Sequence, residues 1–131
     1  MSLSHAIAAA TAMLLVFPVR VHAAAADYEF QPVAVEVKNG PGAELLVRLV
    51  HKPSGNPVAE ALIVKTRLDM APDDMEAMTA KHSQAEPAGP PGVYRFKADL
   101  TMAGQWALKL MAKIQGERET VIGTVIFTAM E

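Results

Sequence analysis

Apolar residues recur at every second position along most of this chain, in short runs divided by turn-forming residues. That period of two builds strands and leaves no room for an amphipathic helical scaffold. The clearest run is Glu44 to His51, with Leu45, Val47 and Leu49 on one face and Leu46, Arg48 and Val50 on the other. Before it, Pro32 to Lys38 sets Val33, Val35 and Val37 against Ala34, Glu36 and Lys38, and Asn39-Gly40-Pro41-Gly42 forms a turn cluster. After it, Lys52 to Pro57 is a loop of turn-formers. The run from Glu60 to Met70 then places Leu62, Val64, Thr66, Leu68 and Met70 on one side and Lys65, Arg67 and Asp69 on the other.

Asp69 to Gly92 breaks the alternation and ends in Glu86-Pro87-Ala88-Gly89-Pro90-Pro91-Gly92, a composition that regular structure does not tolerate. Strands resume at Val93 to Leu100, turn at Met102-Ala103-Gly104, run on from Gln105 to Ile114 with Trp106, Leu108, Leu110 and Ile114 inward, and end with Thr120 to Thr128. Six or seven short strands in this arrangement predict an all-β fold, an antiparallel immunoglobulin-like sandwich. Trp106 and Tyr94 fall on its apolar faces as core aromatics.

The N-terminus follows a different rule. Ala6 to Val19 is uncharged and nearly all apolar, shorter than the ~20 residues a spanning helix needs, and is followed by Val21-His22-Ala23 and further alanines. The expectation is a signal peptide over residues 1–23 and one mature domain over 24–131, exported to the periplasm. Left uncleaved, the segment would be a membrane anchor. Loss of Arg20 turns twelve basic residues into eleven, against fourteen acidic ones, so the mature domain carries about −3 and no basic stripe for nucleic acid. Without cysteine there are no disulfides, thiolate ligands or thiol nucleophiles, and the apolar core must hold the fold.

Methionine is the unusual residue. Met70, Met75 and Met78 crowd into the start of the irregular segment, with His82 just beyond and Met102 at a turn that could approach the same end of the sandwich. If Pro72 opens a helical turn, Met75, Met78 and His82 lie at i, i+3 and i+7, on one face. Thioethers and an imidazole suit copper(I) or silver(I) far better than magnesium or calcium. They also outlast thiols in an oxidising compartment. The candidate metal donors are therefore Met70, Met75, Met78, His82 and Met102. The alternative is structural: Met70 as core, with Met75 and Met78 as an apolar lid on the open end of the sandwich. Asp69, Asp73, Asp74 and Glu76 lack EF-hand spacing and read as a solvated acidic loop. His51 reads as a surface residue, and Met111 and Met130 as structural or incidental. No G-x-S-x-G or H-E-x-x-H motif supports catalysis.

Asp69-Met70 closing a strand, the methionine-bearing loop, Gly92-Val93-Tyr94-Arg95-Phe96 and Met102-Ala103-Gly104-Gln105-Trp106 together resemble the YtkA-like/FixH family of small exported domains, over roughly Val33 to Thr128. The resemblance implies an immunoglobulin-like sandwich outside the cytoplasmic membrane, associated with copper or heavy-metal handling or with assembly of metal-containing respiratory enzymes. The family loop often reads M-x-x-M-x-M. Met75-Glu76-Ala77-Met78 keeps one such spacing, and Asp73-Asp74 stand where glycine is common. The expected function is a non-enzymatic periplasmic accessory protein that binds copper(I) through its methionine-rich loop. The alternative is an interaction module that docks an efflux or oxidase-assembly protein.

Overall fold

A computed structural model describes residues 25–131; the signal segment expected over residues 1–23 lies outside them. Ten strands follow one another: β1 (Tyr28–Pro32), β2 (Glu36–Lys38), β3 (Gly40–His51), β4 (Asn56–Pro57), β5 (Ala61–Met70), β6 (Met75–Thr79), β7 (Glu86–Pro87), β8 (Val93–Leu100), β9 (Gly104–Ile114) and β10 (Val121–Met130). One sheet has the order β1-β3-β8-β7, with β4 added to β3, and the other has the order β2-β10-β9-β5-β6. That distribution is the two-sheet arrangement of an immunoglobulin-like sandwich. Seven strands are five residues or longer, and three are two- or three-residue pieces. Among the described residues no helix is long and apolar enough to cross a membrane.

One part of the expected architecture needs correction: the second sheet is mixed. β2 pairs with β10 in parallel, Glu36 opposite Thr128 and Lys38 opposite Met130, while the long ladders are antiparallel. The cause is a strand that changes sheets. β1 pairs with β3, and the Val33 amide still donates to Leu46 O at 3.0 Å; two residues later Val35 O accepts from the Thr128 amide at 2.8 Å. Pro32 to Lys38 is therefore the last residue of β1, a crossing, and β2. Val33 and Val35 are exposed, and only Val37 packs against the core.

The core fills the space between the sheets. Leu45, Val47 and Leu49 of β3 and Phe96, Ala98 and Leu100 of β8 face Leu68 and Met70 of β5, Trp106, Leu108 and Leu110 of β9, and Val125 and Phe127 of β10. Trp106, Phe96 and Phe127 are the largest side chains removed completely from water. Gly123 makes room for a fourth aromatic, since a Cβ there would sit 2.6 Å from the ring of Phe30. Tyr94 adds a polar clasp: its hydroxyl donates to Val58 O at 2.7 Å and accepts from the Ala61 amide at 3.0 Å, tying the β4–β5 connection to β8.

β5 departs from simple alternation. Ile63 pairs with Ala112 and Lys65 with the next residue of β9, Met111, so Val64 is an extra residue bulged from the ladder. The bulge reverses the facing of everything before it. Ala61 and Ile63 pack on the core with Thr66, Leu68 and Met70 beyond, while Leu62 (65% exposed) and Val64 turn outward. The segment expected to be irregular is also better ordered than its composition implies. After β6 the chain crosses to the first sheet, where the Asp99 amide donates to Lys81 O and the Ser83 amide to Lys97 O, on either side of a His82–Ala98 bridge.

Candidate functional site

The end of β5, the β5–β6 connection and the β8–β9 turn form one rim of the sandwich. Pro72 does open a helical turn, but it is a 3-10 turn of three residues, Ala71–Asp73. Asp74 ends it in the left-handed conformation at φ 59°. The chain then reverses so that Met75 lies opposite Met70 in the ladder. Helical spacing therefore does not group Met75, Met78 and His82; strand pairing brings Met75 to Met70 instead. The β8–β9 turn closes over this pair. Gly104 has φ 135°, and a Cβ on it would sit 2.7 Å from Met70 Cε and 2.6 Å from Asp73 Oδ2. The Gln105 amide donates to that same Asp73 oxygen at 2.8 Å. Met102, two residues before Gly104, is fixed from below by Trp106, whose Nε1 donates to Met102 O at 3.2 Å.

Three of the five candidate donors thus share one rim. Met70 is fully buried, and Met75 and Met102 are half-buried against the core. The other two stand apart. Met78 lies in an excursion between the Met70–Met75 and Asp69–Thr79 pairings and is 39% exposed. His82 is held beside Thr66, four residues back along β5, which at ~3.3 Å per residue is about 13 Å from Met70. Both of its ring nitrogens are engaged. Nδ1 lies 3.2 Å from Ala80 O, which can only accept, so Nδ1 carries the proton; in the neutral ring Nε2 then accepts from Thr66 Oγ1 at 2.6 Å. The Nε2 lone pair that a metal would need is thereby occupied.

The acidic residues fix the rim. Asp69, read from alternation as outward and solvated, is fully buried. Its Oδ1 accepts from the Ala71 amide at 3.0 Å, and its Oδ2 receives Arg67 Nε at 2.8 Å and Lys109 Nζ at 3.0 Å. Burial alone would push this carboxyl up, but the hydrogen bonds from Ala71, Lys109 and Arg67 outweigh it and hold the group below the usual aspartate value. The same cations reach across to the excursion: Arg67 Nη2 donates to Glu76 O at 2.9 Å, and Lys109 Nζ lies 3.6 Å from Glu76 Oε1. Asp69 therefore locks the β5–β6 hairpin onto β9. Sequence reasoning missed this role because nothing local marks an outward aspartate that a neighbouring hairpin will cover. Among the described residues no group of three or more His, Asp or Glu side chains is placed to hold a metal ion. His51 sits at the opposite end, 2.7 Å from Ser54 Oγ and stacked at a tilt on Tyr28.

Taken together, two packed sheets of immunoglobulin-like type and a methionine-bearing rim braced by the ion pairs of Asp69 define the class of small all-β sandwich domains. Within that class the chain belongs to the YtkA-like family, whose model matches residues 22–111. Among solved structures, the chain is similar to a chain of FdeC, an Escherichia coli adhesin, at 18% identity with a TM-score of 0.45, over 84% of this chain and 32% of that one. The chain thus spans about a third of the length of that adhesin chain. No curated protein matches it.

Proposed function

We propose that this protein is a non-enzymatic accessory domain of the periplasm that holds a monovalent soft metal ion, copper(I) by preference, through the thioethers of Met70, Met75 and Met102. The observation that supports the reading is the contact of Met70, strand partner of Met75, with the β8–β9 turn. β-pairing sets Met75 beside Met70, and the close approach of Gly104 to Met70 Cε brings down the turn that bears Met102. Neutral sulfur donors of this kind match the softness of copper(I), and among the described residues no group of three or more His, Asp or Glu side chains competes with them. Met70, being sealed, would be the inner ligand, and the half-buried Met75 and Met102 would close the site from the solvent side. Asp73 and Asp69 serve as braces in this reading. Titrating the chain with copper(I) against a competing chelator should give one ion per chain. Met75→Leu with Met102→Leu should abolish that binding, and Met78→Leu and His82→Ala should leave it in place. Unchanged affinity in the Met75/Met102 double variant would overturn the assignment.

A second reading, docking of an efflux or oxidase-assembly protein, is favoured by a different observation. Leu62 and Val64 on β5 and Ile122 (71% exposed) and Ile126 on β10 stand on the solvent side of the second sheet. Large apolar side chains gathered on one sheet face are a common basis for protein contact. Capture of such a partner that is unaffected by copper(I) and lost in Leu62→Asp with Ile122→Asp would support this reading over the first.

A further inference from the structure

The outer face of the other sheet carries a built pocket, unrelated to the methionine rim. Its floor is the outward side of β3 and β8, with Leu46, Val50 and Val93, and its volume is about 460 Å³. Two walls rise from the floor. One is the turn Pro87 to Pro91, held at both ends of its span by the Ala88 amide donating to Val93 O at 3.0 Å and the Val93 amide donating to Pro90 O at 3.2 Å. The other is β4 with Gly55 and Pro57. The walls meet at Gly92, which has φ 77° and so little room that a Cβ would fall 2.7 Å from Pro57 Cβ. Prolines with fixed φ on both sides, joined through a residue that only glycine can supply, give a cavity formed before any ligand arrives.

Two guanidinium groups enter this apolar space. Arg48 is half-buried and has no hydrogen-bond or ion-pair partner among the described residues. Arg95 lies on the same face of the neighbouring strand, two residues along the ladder from the partner of Arg48, since Arg48 is opposite Val93 and Leu46 is opposite Arg95. Glu44 Oε1 comes within 3.3 Å of Arg95 Nε but is poorly aligned, and that buried Nε–H has no acceptor. The Arg48 guanidinium reaches solvent with no protein acceptor competing for it, and a buried donor without an acceptor, such as Arg95 Nε–H, is costly in a folded protein unless something fills it. The planar fork of a guanidinium matches a carboxylate. A volume in the range of ~300–1,000 Å³, apolar walls and a few polar groups are the usual make-up of a small-molecule site.

We propose that this pocket binds a small monocarboxylate with an apolar body, its carboxylate received by Arg48 and Arg95 and its hydrocarbon laid along Leu46, Val50 and Val93. The test uses the full chain and three probes, octanoate, 1-octanol and acetate, followed by residue-resolved NMR shifts. Octanoate should give saturable shifts at Val50 and Val93, and 1-octanol and acetate should bind at least tenfold more weakly, because each lacks one half of the recognition. Arg48→Gln breaks no hydrogen bond or ion pair among the described residues and keeps most of the aliphatic stem, so it should fold normally, yet it should weaken octanoate binding by about tenfold or more, and adding Arg95→Gln should remove it. Equal affinity for octanoate and 1-octanol, an Arg48→Gln/Arg95→Gln protein that still binds octanoate as the parent does, or octanoate shifts confined to residues outside the pocket would each overturn the proposal.

Discussion

Met70 packs its terminal methyl into the space left by the missing side chain of Gly104, with only 2.7 Å between Met70 Cε and the place a Cβ would occupy. This contact joins the end of β5 to the start of β9 and holds the methionine rim together. Gly104→Ala would have to displace Met70 or the Asp73 carboxylate and would also force a non-glycine residue to φ 135°. Overpacking of this kind costs roughly 1–3 kcal/mol, before the backbone strain is added. The expected outcome is a lower urea midpoint. Copper(I) affinity should also fall, although no sulfur has been removed. A variant with parental stability and affinity would show that the contact is incidental.

Asp69 makes the rim sensitive to acid. Its carboxyl is held below the ordinary value of 3.8. The group therefore adds stability that is fully present above that value and is lost as the pH falls through the lower, folded-state value. Asp69→Asn keeps the shape but weakens the hydrogen bonds to Lys109 and Arg67, each with a charged partner, so a loss of about 2 kcal/mol is expected at neutral pH. Urea denaturation of both proteins through a pH series checks this. The gap between them should narrow as the pH drops below 3.8 and close only below the lower folded-state value, where aspartate is as neutral as asparagine in both states. A gap independent of pH would mean that shape, not charge, accounts for the loss.

The contrast between β3 and β5 shows how far periodicity carries. In β3 the inward set Leu45, Val47 and Leu49 follows directly from alternation, because the strand pairs regularly over that stretch. In β5 the same rule places Leu62 and Val64 inward and is defeated by one bulged residue that no glycine or proline announces. β1 is a different case. Tyr28-Glu29-Phe30-Gln31 does alternate, so the signal for this strand is present in the residues just before Pro32. Gly104 and Trp106 were legible as a tight turn leading into a buried aromatic, and both stand so. The rim was legible only as a local density of methionine. Which sulfurs meet depends on Met70 pairing with Met75 and on the arrival of a turn more than thirty residues later, and spacing along the chain does not encode that. Arg48 was placed outward correctly, but the pocket around it is made by prolines from two distant segments.

Trp106 links core and rim through its indole as well as its bulk. Its Nε1 donates to Met102 O at 3.2 Å from a fully buried ring. Trp106→Phe keeps an aromatic in the core but leaves that carbonyl without its donor and opens space, for an expected loss of roughly 2 kcal/mol from the hydrogen bond and packing combined. Trp106→Ala should cost about 3–5 kcal/mol, enough to unfold a small domain of ordinary stability. Near-ultraviolet circular dichroism and urea denaturation separate the two cases. The Phe variant should remain folded with weakened copper(I) binding, because Met102 loses its tether.

The bulge at Val64 makes a sharp prediction about two adjacent residues of similar hydrophobicity. Leu62 is 65% exposed on the outer face, whereas Ile63 packs against the core next to Ala112 of β9. Were β5 a regular strand, Leu62 would be the buried one of the pair. Leu62→Asp should therefore change stability by no more than about 0.5 kcal/mol, the usual range for a surface substitution. Ile63→Asp, which sets a carboxylate against hydrocarbon, should destabilise by roughly 3 kcal/mol or more. Deleting Val64 restores strict alternation, with Ala61, Ile63 and Thr66 all facing inward along a ladder without interruption. The shortened chain should consequently fold, with Ile63 still protected from solvent. Parallel denaturation of the three proteins decides the matter, and a Leu62→Asp variant less stable than Ile63→Asp would mean that the strand pairs in the other register.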